Sequence, residues 1–122
     1  MEVAELCGAI YICRVPRARV DPFLRIQQEA AELYKTHGAL DDITWTPADL
    51  APKYGCIGFQ DALSPGGDEV ILVGISIFRD RAYHDEVMAR VDADERIVTL
   101  YRELTQLIDV SKVVRGEFDR AI

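Results

Sequence analysis

One stretch constrains the fold more than any other: Glu69-Val70-Ile71-Leu72-Val73-Gly74-Ile75-Ser76-Ile77-Phe78-Arg79. It is too rich in β-branched residues and too short to be anything but a strand. Successive side chains of a strand point to opposite faces. Val70, Leu72, Gly74, Ser76 and Phe78 therefore share one face, and Ile71, Val73, Ile75 and Ile77 share the other. Both sets are apolar, so the strand is expected in a sheet covered on both sides. Residues 6–15, Leu6-Cys7-Gly8-Ala9-Ile10-Tyr11-Ile12-Cys13-Arg14-Val15, form a second strand of the same kind, ended by Pro16.

Between these strands the hydrophobic period changes. Phe23, Ile26, Ala30 and Leu33 make one row at helical spacing, and Val20, Leu24, Ala31 and Tyr34 make a second beside it. With Asp21 as N-cap, Pro22 in the first turn and Gly38 as a left-handed stop, the pattern predicts a helix over residues 21–37. Residues 39–46 alternate, Ile43 and Trp45 against Asp42, Thr44 and Thr46, and predict a strand with one exposed face that ends at Pro47. Residues 47–68 are long for a connection without structure of its own, which points to a lid, a binding loop or a short helix. Asp80 is placed to cap a helix carrying Tyr83, Val87 and Val91 inward. Asp92 with Glu95 reads as a capping box before the stripe of Ile97, Leu100, Tyr101, Leu104, Leu107 and Ile108. A last strand is expected over about residues 112–118.

The order β-α-β-β-α-β predicts an α+β, ferredoxin-like domain across residues 1–122, with a four-stranded antiparallel sheet and both helices on one face. The other face is then left bare although its residues are apolar, and such a patch marks an interface. A homodimer packed sheet against sheet is the simplest cover.

Composition narrows the function classes. With 49% hydrophobic and 29% charged residues the chain is globular, and its longest apolar run, residues 70–75, is far short of the roughly 20 residues of a membrane-spanning helix. The acidic start Met1-Glu2-Val3-Ala4-Glu5 lacks the basic segment of a secretory signal, so a cytoplasmic protein is expected. A net charge of −7 opposes binding to nucleic acid or to an anionic membrane. Arg14, Arg17 and Arg19 read as a solvated edge. Three cysteines, Cys7, Cys13 and Cys56, with no C-x-x-C spacing, suggest neither a disulfide framework nor a zinc site.

His37-Gly38-Ala39-Leu40, Phe59 with Ala62 before Asp68-Glu69-Val70, the run Ser76-Ile77-Phe78-Arg79-Asp80-Arg81-Ala82-Tyr83-His84-Asp85, Asp94-Glu95-Arg96 and the closing Gly116-Glu117-Phe118 together resemble the YbaA-like proteins, a bacterial family of unknown function. The resemblance implies a place in the dimeric α+β barrel superfamily, whose plan is similar to that of cofactor-free monooxygenases, muconolactone-type isomerases, haem-degrading enzymes and chlorite dismutases. It implies a pocket between the sheet and its own helices, and no settled activity.

His37 continues the Phe23, Ile26, Ala30, Leu33 row, where it is either a general base or a last-turn group bonding free carbonyls. Tyr11, Tyr34, Trp45 and Ser76 are the other polar-tipped groups able to orient an aromatic ligand, or they are plain core residues. Glu117, if turned inward, would be a carboxylate with a raised pKa. His84 next to Asp85 and Glu86 is not a metalloprotease pattern, since near neighbours on a helix do not converge. Asp92-Ala93-Asp94-Glu95 lacks the glycine of a calcium loop. No glycine-rich nucleotide loop and no Gly-x-Ser-x-Gly occurs. The sequence therefore points to a homodimer binding a small apolar or aromatic molecule, with no cofactor or metal expected. The alternatives are a cofactor-independent monooxygenase or isomerase and a non-catalytic interaction module.

Overall fold

In the computed structural model β1 (Cys7–Pro16) and β3 (Glu69–Phe78) run antiparallel at the centre of a four-stranded sheet. β2 (Asp41–Trp45) and β4 (Val114–Asp119) lie at its edges, in the order β2-β3-β1-β4. Residues 5–122 are described, and residues 1–4, which make up most of the acidic N-terminal stretch, lie outside them. The helices are α1 (Val20–Thr36), the short α2 (Phe59–Leu63), α3 (Arg81–Asp92) and α4 (Glu95–Leu104). This is the expected ferredoxin-like α+β plan, and α2 supplies the short helix anticipated between residues 47 and 68.

Register decides which apolar face is inside. Cys7 pairs with Phe78, Ala9 with Ser76, Tyr11 with Gly74, Cys13 with Leu72 and Val15 with Val70, and this face meets the helices. One core cluster joins Cys7, Phe78, Ala39, Val87 and Val91, and another joins Cys13, Val15, Leu72, Phe23 and Ile108. On the opposite face Ile75 lies between Ile10 and Ile43, and Val73 between Ile12 and Trp45, with Val114 and Phe118 on β4 beside them. Trp45, Val114 and Phe118 are each about half exposed. Cover on both sides is thus limited to one corner. Ile71, only 2% exposed, faces Arg14 in register, and the Arg14 guanidinium donates to the Leu63 carbonyl at 2.7 Å and to the Lys112 carbonyl at 2.9 Å. That bond ties the end of α2 to this corner.

Several boundaries differ from expectation. A tight turn over Arg17–Arg19 feeds directly into α1, so Asp21 sits in the first turn and caps nothing. Its charge still suits the helix dipole. Asp80 does cap α3, accepting from the Tyr83 N–H at 2.7 Å. Asp94, not Asp92, caps α4 by accepting from the Arg96 N–H, because the chain turns at Ala93. A second tight turn, Val110–Lys112, delays the start of β4. Arg14 and Arg19 are committed to backbone carbonyls, Arg19 to those of Gln106 and Leu107, so they do not form a free basic edge.

Candidate functional site

Four strands contribute to one row across the helix face of the sheet: Asp42, Ser76, Ala9 and Glu117. The two central side chains are small, and above them a cleft of about 220 Å³ opens between the sheet, α1 and α3. Its next row is Gly74, Tyr11 and Arg115, with the Arg115 guanidinium 5.3 Å from the centre of the Tyr11 ring. Tyr34 comes from α1 and His84, Met88 and Asp92 from α3, while Phe78 closes the end of β3. Four of the residues singled out from sequence, Tyr11, Tyr34, Ser76 and Glu117, therefore line one cleft.

Several of the polar groups there are held by named neighbours. Burial pushes the Tyr34 phenol well above its ordinary range, helped by Tyr11, Asp42 and Asp92, so its hydroxyl stays protonated. Ser76 Oγ donates to Asp42 Oδ2 at 2.7 Å. Burial raises the Asp42 carboxyl while that hydrogen bond opposes it. Glu117 accepts from Arg81 at Oε1 and from Arg115 at Oε2, both at 2.7 Å. The raised pKa expected of an inward Glu117 is corrected by these contacts: Arg115 above all, with Arg81, holds the carboxyl below its ordinary value. A charge-assisted guanidinium pair outweighs partial desolvation.

Local sequence sets His84 only beside Asp85 and Glu86, whereas Phe78 and Glu117, which it meets in the cleft, come from other elements. Its ring stands edge-on to Phe78, centroids 4.7 Å apart, with its side chain 12% exposed. Nδ1 lies 2.9 Å from Asp85 Oδ1, and Nε2 lies 3.9 Å from Glu117 Oε1. The signal was present: His84, Met88 and Asp92 recur every fourth residue, one stripe round from Tyr83, Val87 and Val91.

The structure places His37 and Trp45 elsewhere. His37 ends α1, with Nε2 2.7 Å from Asp94 Oδ2, while Arg90 donates to its carbonyl at 2.6 Å. Its imidazole therefore joins α1 to the start of α4 and does not line the cleft. Trp45 stands on the open sheet face opposite Val73, 54% exposed. A second cleft of similar size lies among Arg14, Arg19, Glu69, Asp109 and Lys112, but its two guanidiniums are already bonded to carbonyls. Among the described residues no three His, Cys, Asp or Glu side chains gather to hold a metal ion, and no helix is long and apolar enough to cross a membrane.

Solved structures share this fold over nearly the whole chain. A mutant of SnoaB, a cofactor-independent oxygenase from Streptomyces nogalater, superposes with a TM-score of 0.66 at 13% identity, covering 98% of this chain and 96% of its own. A dimeric ferredoxin-like protein from an uncultured marine organism gives 0.66 at 10% identity, with 97% of each chain covered. A nipsnap family protein of unknown function from Agrobacterium tumefaciens gives 0.56 at 18% identity, with 98% and 92% covered. At such identities the likeness is one of fold. No curated protein matches the chain. Residues 9–106, which carry every element lining the cleft except β4, match the family of proteins of unknown function DUF1428, and the chain belongs to that family.

Proposed function

We propose that the protein is a cytoplasmic homodimer, joined through its open sheet face, that binds a small apolar or aromatic molecule in the cleft between sheet and helices. The observation that carries this reading is the cleft itself: an apolar floor and wall from Ala9, Phe78 and Met88, with the polar tips of Tyr11, Tyr34, Ser76 and His84 converging on it. Its volume of about 220 Å³, against the roughly 150 Å³ of a closed cavity that accommodates a benzene ring, supports a ligand of the size of one substituted ring. The half-exposed Trp45, Val114 and Phe118 on the far face support the dimer, as does the neighbour described as dimeric. Free Cys7, Cys13 and Cys56 agree with a reducing compartment. The narrower YbaA-like resemblance belongs to the same proposal and rests on the motifs quoted above.

A second reading, a cofactor-independent monooxygenase or isomerase, is favoured by the titratable groups of the cleft and by the fold shared with an oxygenase. The site proposed for either reading is Tyr11, Tyr34, Ser76 and Glu117, now with His84 and Arg115.

Native mass spectrometry of freshly purified protein tests dimer and ligand together. The expected result is a dimer carrying an added small mass, and Met88→Trp, which fills the cleft, should lose that mass and keep the dimer. A monomer would overturn the assembly, and an added mass that survives in Met88→Trp would place the ligand elsewhere.

A further inference from the structure

Several groups in the cleft could take a proton from a ligand, and the geometry removes most of them. Both Glu117 oxygens are occupied by guanidiniums. Asp42, which adjoins Ser76 but does not line the cleft, accepts from that serine, and Tyr34 remains a neutral phenol. Asp92 is exposed at the last residue of α3. His84 is left. A carboxylate accepts only, so the 2.9 Å contact with Asp85 Oδ1 puts the imidazole proton on Nδ1. In the neutral imidazole Nε2 then carries the lone pair, on the side of Glu117, another lining residue of the cleft. An imidazole is the side chain suited to take and return a proton near neutral pH, and a carboxylate behind Nδ1 fixes its tautomer.

The charges around it select the ligand. A carboxylate ligand would enter already ionised, facing Glu117 and Asp92. A neutral hydroxyl enters without that repulsion, and the charge its oxygen gains is matched by the imidazolium formed in the same step, with the Arg115 guanidinium, bonded to Glu117 through one of its nitrogens, beside it.

We propose that His84, oriented by Asp85, is the proton acceptor of the cleft, and that the ligand is a small aromatic hydroxy compound whose anion Arg115 receives. The inference rests on the ligand-binding reading above. In the step the ligand O–H bond breaks, its proton passes to Nε2 and its electron pair stays on oxygen. The imidazolium so formed lies 3.9 Å from the Glu117 carboxylate and 2.9 Å from that of Asp85, and these are the charged groups facing it from β4 and from its own helix. Arg81 and Arg115 stand behind Glu117. Asp85 is a positioning residue.

Para-nitrophenol is the probe, because its phenolate absorbs at longer wavelength than the phenol. It is titrated with protein at a pH where the free compound is mostly protonated. Binding with growth of the phenolate band is expected, as is loss of that band with binding retained in His84→Gln. In Asp85→Asn, an exposed change that leaves the core alone, the ionisation midpoint of the bound probe should move back toward that of the free compound. Para-nitroanisole, which has no proton to give, should bind without a band. Binding of para-nitrophenol with no phenolate band, or a band that survives in His84→Gln, would overturn the inference and leave the cleft a ligand site. If His84→Gln does not fold, an unmoved midpoint in Asp85→Asn overturns it. Failure of both probes to bind would overturn the ligand reading, and this inference with it.

Discussion

Asp94 and Asp42 are carboxylates perturbed in opposite directions, and the contrast can be measured. The Arg96 guanidinium first, then His37 and the Arg96 N–H, hold Asp94 well below its ordinary 3.8. As pH falls the unfolded chain takes up that proton before the folded one. Asp94 therefore contributes stability that is complete above the ordinary carboxylate range and is lost as pH drops through 3.8 and below. Asp42 is raised by burial, so the folded state takes its proton first and the contribution runs the other way. Between about pH 5 and pH 2 the urea midpoint of Asp94→Asn should fall less steeply than that of the parent, and the midpoint of Asp42→Asn more steeply. Equal slopes in all three proteins would show that neither carboxylate governs acid stability. His37 illustrates how far a single residue is legible. The apolar row and the glycine after it place the ring at the end of α1, but its partner Asp94 is 57 positions away, and nothing local announces that meeting.

At the scale of elements, chemistry confined to one turn was readable and chemistry that depended on the neighbouring element was not. Asp80 caps α3 and Gly38 ends α1 as the sequence suggests, because each acts within a few residues. Asp21 fails as a cap because the turn before it is already helical in sense, and the acidic run from Asp92 to Glu95 contains several residues able to cap α4. Similarly, β1 and β3 are apolar on both faces, so only register with β2 and β4 tells the inner side from the outer. Gly38 has φ of +117°, and a β-carbon there would stand 2.7 Å from Tyr83 Oη. Tyr83 cannot easily yield, since Arg79 stacks 4.2 Å from its ring centre and Arg90 lies 6.0 Å away. Gly38→Ala should cost more than about 1 kcal/mol of stability, read from chemical denaturation. A neutral result would mean that α1 ends differently.

For the whole molecule, the order of elements and the existence of an open apolar face were legible, while the cleft was only half so. Tyr11, Tyr34, Ser76 and Glu117 could be named because their strands and helix are strongly patterned. His84 and Arg115 could not, because their value comes from meeting Glu117 across the sheet edge. The proposed dimer has a direct check. Ile75 is central on the open face, between Ile10 and Ile43, and Ile75→Glu would place a charge in the interface. A folded monomer is expected by light scattering with circular dichroism unchanged, and a persisting dimer would move the interface off this face. Finally, Arg14 joins two segments far apart in sequence, the end of α2 and the approach to β4, through one guanidinium. The two segments should therefore open to solvent together, as a single cooperative unit in hydrogen exchange. Arg14→Lys cannot reach two carbonyls with a rigid fork, and should split that event into two with separate opening rates.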